Sequence, residues 1–312
     1  SSLSQWSRGG HRAVAENVPL EDLLERGGKL VQRMKAAGVD TRACEAALQQ
    51  ASRAVGASPR ERRQAYLDAR WAMRDLMLSD TLLDFDSIVF VKRVPGSFNH
   101  MSDQHYGWWS RPGGGLFILS GYRTDAPRLR AIGTGLPAGS YVDPDLSYNG
   151  RKILFGYCRY YADSASRADK TDKARIPEDA FYHLYEIGVD GSGLKRLTTG
   201  KYDDFSGRYL PDGSIIFLST RRGAGVQHTG TVEEEGAPRP DSFVRCGGDH
   251  SRPVSVYTLH RLMPDRRTVM ALSPFENFEW TPNVCSDGRI LYARWDYVDR
   301  NNMPFMKLWS TN

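Results

Sequence analysis

Asp145-Leu146-Ser147-Tyr148-Asn149-Gly150-Arg151-Lys152-Ile153-Leu154-Phe155 is a turn signal followed by an apolar run, and it recurs. The second copy is Arg208-Tyr209-Leu210-Pro211-Asp212-Gly213-Ser214-Ile215-Ile216-Phe217, and the third is Asn283-Val284-Cys285-Ser286-Asp287-Gly288-Arg289-Ile290-Leu291-Tyr292. In each, Asn-Gly or Asp-Gly is expected to supply the positive φ angles of a two-residue hairpin turn, and the apolar run after it a buried inner strand. Between these units lies a second hairpin. Tyr182 to Ile187 and Leu194 to Thr198 flank Asp190-Gly191-Ser192-Gly193, and Val256 to Leu262 is followed by Thr268 to Leu272. Two hairpins per period make a four-stranded antiparallel sheet, and such sheets repeated in series, none able to bury both faces alone, imply a β-propeller.

The turn glycines lie 63 and 75 residues apart, longer than common propeller repeats, and the excess falls in polar stretches near 159–179 and 221–252, expected as long loops. Residues 86–131 read as one irregular blade, 143–198 and 205–272 as two more, and 279–312 as part of a fourth. Met306 to Asn312 reads as a third strand. The fold class is therefore mainly β: an incomplete propeller of about three to four blades over 83–312, an arc whose remainder would come from a longer protein or another chain. Before residue 82 the period is helical: Leu20, Leu23, Leu30, Val31 and Met34, then Ala43, Ala46, Ala47 and Ala51, then Tyr66, Ala69, Met73 and Met77. Residues 1–82 are thus expected to form about three α-helices. Ser58, Pro59 and Glu61 spell the start of the third, and Gly27 with Gly28 weakens the first.

The composition is that of a globular chain, with 40% hydrophobic and 25% charged residues among 312. A net charge of +5 without a concentrated basic cluster argues for a solvated face over a phosphate-binding patch, so no nucleic-acid partner is expected, and no apolar run approaches the length of a membrane span. Cys44, Cys158, Cys246 and Cys285 form neither CxxC nor CxxCH, so no zinc ribbon, thioredoxin motif or c-type haem attachment is expected within these residues.

Chemistry is expected on two loops. His100, Asp103, His105 and Arg111 fall in a Gly- and Trp-rich stretch between strands, where imidazoles and a carboxylate could move protons or hold a metal. The alternative is an ordered loop whose polar groups satisfy the backbone while Trp108 and Trp109 plug the propeller. Cys246 and His250, with Asp249 between them, could share a metal in the longest insertion; a loop thiol or a disulfide to Cys158 or Cys285 is the competing reading. His183 and His260 are expected as framework residues, and Asp203-Asp204 as a solvated charge run.

The Asn-Gly or Asp-Gly turns with their apolar runs and the hairpin Leu184 to Thr198 resemble TolB-like, WD-repeat-like propeller repeats over roughly 140–312. Asn99 to Gln104, Trp108 to Gly115, Glu279 to Pro282 and Arg294 to Arg300 resemble planctomycete-type proteins related to the hydrazine synthase alpha subunit. This resemblance implies a binding or scaffolding propeller module of a larger extracytoplasmic, periplasmic protein. Its partners would be other domains or subunits, and any c-type haem would sit in flanking domains. The alternative it leaves is a metal- or haem-assisted enzyme using the His100 to Arg111 loop.

Overall fold

In the computed structural model the helical pattern becomes α1 (Leu20–Ala36), α2 (Arg42–Arg53) and α3 (Pro59–Leu78). The residues described are 18–96, 101–163, 170, 173, 174, 176–221, 243–245, 253–273, 278–295 and 306–312. The start of α3 is built as its sequence requires: Glu61 N–H donates to Ser58 Oγ, and Ser58 N–H donates back to the Glu61 carboxylate at 3.0 Å. Helix α1 runs unbroken through its two glycines. A Cβ on Gly27 would lie 2.5 Å from Leu48 Cδ2, so this glycine lets α2 approach closely. Leu20, Leu23, Ala51, Tyr66 and Ala69 form one core of the three helices, and Leu30, Met34, Cys44 and Leu76 another.

The chain divides into two units, residues 1–88 with 119–129, and residues 89–118 with 130–312. Its strands form antiparallel sheets in chain order. The first is three-stranded: β1 (Ser87–Lys92), β2 (Gly115–Ser120) and β3 (Arg128–Ile132), in the order β1-β2-β3. The second is a four-stranded meander of β4 (Gly139–Leu146), β5 (Lys152–Arg159), β6 (His183–Gly188) and β7 (Lys195–Arg196). In the third, β8 (Asp204–Tyr209) and β9 (Ile215–Ser219) pair with β12 (Thr258–Leu262) and β13 (Val269–Ala271) in the order β13-β12-β9-β8. Between β9 and β12, β10 (Phe243–Arg245) and β11 (Pro253–Ser255) make a separate pair. The last sheet is β14 (Glu279–Val284), β15 (Ile290–Arg294) and β16 (Lys307–Thr311), with β16 in the third place its sequence assigned.

These sheets are the blades of an incomplete propeller, and successive blades pack face to face. Leu116 and Ile132 meet Tyr141, Phe155 and Ile187 between the first and second; Leu154 and Leu184 meet Tyr209, Ile215, Phe217 and Leu262 between the second and third. Blade contacts repeat in the backbone. Asp204 N–H donates to Tyr182 O at 2.8 Å, and Glu279 N–H donates to Tyr257 O at 3.2 Å, each joining the first strand of one blade to the third strand of the blade before.

The turns differ from the expected two-residue type. Gly150, Gly213 and Gly288 have φ of 68°, 83° and 88°, but the preceding Asn149, Asp212 and Asp287 are not left-handed. Each glycine N–H donates three residues back, to Ser147, Leu210 and Cys285 O at 2.7, 2.9 and 3.0 Å, which makes a type I turn ending in a left-handed bulge glycine. Pro211 gives the reason: its ring fixes φ near −65°, so the first central residue of that turn cannot take the positive φ of a type I′ turn. The Asn149 and Asp287 carboxamide and carboxylate each accept from the backbone N–H two residues on, at 3.1 and 3.1 Å, and Asp212 does so at 3.0 Å.

The strand before each of these turns, β4, β8 or β14, also carries a bulge. Asp143, Ser206 and Thr281 have φ of 48°, 52° and 45°, and the register of each strand against its neighbour shifts there. Each stands seven residues before its turn glycine.

Candidate functional site

A five-residue helix, α4 (Met101–His105), follows β1, and the segment it opens is the centre of the candidate site. Tyr106 N–H donates to Ser102 O at 3.1 Å, and Gly107, at φ 77°, ends the turn in the left-handed conformation. Asp103, 1% exposed, accepts from Trp108 N–H at 2.9 Å and so fixes the chain leaving the helix. The approach is close: a Cβ on Gly96 would fall 2.2 Å from Asp103 O.

Tyr106 is the wedge of this segment. It is buried, stacks on Phe205 with centroids 4.1 Å apart, and meets Tyr182 and Tyr257 edge-on at 5.7 Å each. Tyr182 and Tyr257 precede β6 and β12, the third strands of their blades, so two equivalent tyrosines grip one ring. Trp108 and Trp109 are buried in the same cluster, with Val142, Phe181, Phe205, Phe278 and Trp280. This cluster joins Trp108 and Trp109 to side chains of the second, third and fourth blades.

His105 lies edge-on to Phe205 at 6.0 Å and to Trp280 at 5.4 Å. Its Nε2 is buried with no hydrogen-bond partner among the described residues. Burial lowers its pKa below the ordinary histidine value; the Asp143 carboxylate opposes this, and the Arg93 and Arg208 guanidiniums reinforce it. Asp143 itself accepts from Ser206 Oγ at 2.5 Å, tying two of the bulges together. Arg111 turns to the backbone: its N–H donates to Ser140 Oγ at 3.0 Å and its Nη1 to Pro95 O at 2.8 Å.

His100, Cys246, Asp249 and His250 lie outside the described residues. Among the described residues no group of three His, Cys, Asp or Glu side chains is placed to hold a metal ion. Cys44, Cys158 and Cys285 are free thiols, and burial pushes the Cys158 thiol up to about 12. His183 and His260 occupy equivalent strands, β6 and β12, at positions two residues apart. His183 Nε2 lies 2.9 Å from Glu178 O, and His260 Nδ1 lies 2.9 Å from Thr258 O.

Asp203-Asp204 departs from the expected solvated run, since the two are 2% and 0% exposed. Asp204 accepts from Ser219 Oγ at 2.6 Å and pairs with Arg221. Asp203 accepts from Tyr182 N–H at 2.9 Å and from Lys170 Nζ at 2.7 Å. Lys170, 9% exposed, also donates to Trp108 O at 2.5 Å, and its Nζ stands 5.0 to 5.7 Å from the ring centroids of Trp109, Phe181 and Tyr182. A signal for the buried acids was available: aligned on the turn glycines, Asp204 falls at the position of Glu279, each opening the first strand of its blade. Glu279 is likewise buried and accepts from Leu259 N–H and Ser273 Oγ at 2.6 Å each. Nothing in the spacing pointed to Lys170.

No family model matches the chain, and no curated protein matches it in sequence. Solved structures similar to it include hydrazine synthase of Kuenenia stuttgartiensis, with 14% identity over 72% of this chain and 30% of that chain at a TM-score of 0.46. TolB from Acinetobacter baumannii has 14% identity over 81% of this chain and 56% of its own at 0.34, and an oligogalacturonate lyase in complex with manganese has 14% over 72% and 48% at 0.38. The chain thus spans less than a third of the hydrazine synthase chain and about half of the other two.

Proposed function

We propose that this chain is a binding or scaffolding propeller module of a larger extracytoplasmic protein, whose other domains or subunits are its partners and carry any c-type haem. The observation that supports this reading is the Tyr106 wedge. The loop that could have carried chemistry is spent on its own backbone and on joining blades: Asp103 holds Trp108 N–H, Arg111 holds Pro95 O, and Tyr106 sits between Tyr182 and Tyr257. Among the described residues no helix is long and apolar enough to cross a membrane.

A second reading, a metal- or haem-assisted site on the His100 to Arg111 loop, is favoured by the buried, unpartnered Nε2 of His105. Elemental analysis of the purified chain and of a folded His100→Ala/His105→Ala variant separates the two. The module reading expects no metal in either protein. Stoichiometric metal in the parent that is lost in the variant would overturn it in favour of the second.

A further inference from the structure

We infer that the pocket around Lys170 Nζ is a recognition site for a primary alkylammonium group, and that the chain fills it with its own lysine. The pocket has the parts such a cation requires. A carboxylate, Asp203, is 2% exposed and itself fixed by Tyr182 N–H at 2.9 Å. A backbone carbonyl, Trp108 O, is presented by the plug segment, and three ring faces, Trp109, Phe181 and Tyr182, surround the charge at 5.0 to 5.7 Å. Aromatic faces attract a cation through the ring quadrupole, most strongly where water is excluded, while the carboxylate and carbonyl demand N–H donors. That combination selects a primary ammonium over a quaternary one, which has no N–H to give.

The walls belong to the folded propeller: Phe181 and Tyr182 lead into β6, Asp203 into β8, and Trp108 and Trp109 follow α4. Lys170 lies earlier in the β5 to β6 connection that ends in Phe181 and Tyr182, while Asp203, Trp108 and Trp109 come from other parts of the chain. Lys170 is therefore an internal ligand, and an alkylammonium from outside competes with it for the same five groups. The inference uses the Trp108 carbonyl and the Trp109 ring but none of the His100, Asp103, His105 or Arg111 side chains, so it stands or falls independently of the proposed function.

Trypsin provides the test, because cleavage after Lys170 requires its side chain in the protease's own pocket and hence out of this one. n-Butylammonium chloride should raise cleavage after Lys170 severalfold and saturably in the wild-type chain, measured by mass spectrometry relative to cleavage after Lys35. That ratio cancels direct inhibition of the protease by the amine. Sodium chloride and tetramethylammonium chloride at equal ionic strength should leave the ratio unchanged. In Lys170→Ala, or Lys170→Met should the first not fold, butylammonium should raise Tm, and adding Asp203→Asn should abolish that rise. A cleavage ratio indifferent to butylammonium, or an equal response to tetramethylammonium, overturns the inference.

Discussion

Replacing Tyr106 by Ala tests whether the plug holds the blades. The ring is 1% exposed and contacts three other rings, one stacked at 4.1 Å and two edge-on at 5.7 Å. Truncating a buried aromatic costs about 3–5 kcal/mol in transfer and cavity terms. Aromatic pairs add about 0.5–1.5 kcal/mol each beyond the buried area, so the upper half of that range is expected. In a unit of this size each kcal/mol moves Tm by about 2–4 °C, and the fall should be on the order of 10 °C. The assay is urea and thermal unfolding followed by tryptophan fluorescence, with Tyr106→Phe as the variant that keeps all three ring contacts and should lose far less. A double-mutant cycle with Phe205→Ala should return a coupling of about 0.5–1.5 kcal/mol for the stacked pair. A loss below about 0.5 kcal/mol for Tyr106→Ala, the range of surface substitutions, would refute the wedge.

Burial lowers the pKa of His105 and His183, so the folded chain takes up fewer protons than the unfolded chain once pH drops below the ordinary histidine value of about 6.5. The stability they confer is present above that value and is lost below it; the urea midpoint should fall between pH 7.5 and 5.5, less steeply in His105→Phe, and a flat profile would contradict the burial argument. Gly27→Ala should destabilise the helical unit through its clash with Leu48, whereas Gly28→Ala, with open space around it, should stabilise by about 0.5–1 kcal/mol; helical circular dichroism during melting gives both signs. Gly213→Ala, at φ 83°, should cost about 1–2 kcal/mol in chemical denaturation, and no loss would mean the turn can change type. The Cys158 thiol, 0% exposed and with its pKa pushed up to about 12, should resist iodoacetamide at pH 8 while Cys285 reacts; equal labelling would show that the second blade opens.

Local signals carried most of the fold. The capping box at Ser58 and Glu61 is a contact between near neighbours, and the apolar runs after Gly150, Gly213 and Gly288 bury themselves because alternation and turn residues agree. What escaped was non-local. The need for Gly27 lies in Leu48 on another helix, and Lys170 finds its carboxylate in Asp203, across an insertion without periodicity. The candidate loop was visible as a loop rich in His, Asp and Trp, but which groups it would spend on itself depended on Phe205, Tyr182 and Tyr257, each from a different strand or connection. The turn type was legible in one copy through Pro211 and hidden in the other two.

The seven-residue spacing from each left-handed bulge to its turn glycine acts as a ruler. Side chains along a strand alternate between faces, so one residue gained or lost within that interval would exchange every inward and outward side chain up to the turn, and with them the blade-to-blade bonds of Asp145 and Ser206. The same change on the far side of the hairpins merely lengthens a loop, as the unequal glycine spacings of 63 and 75 residues already do. Variation in length is thereby channelled to the connections, and the strands between bulge and turn keep one register while those connections are free to diversify.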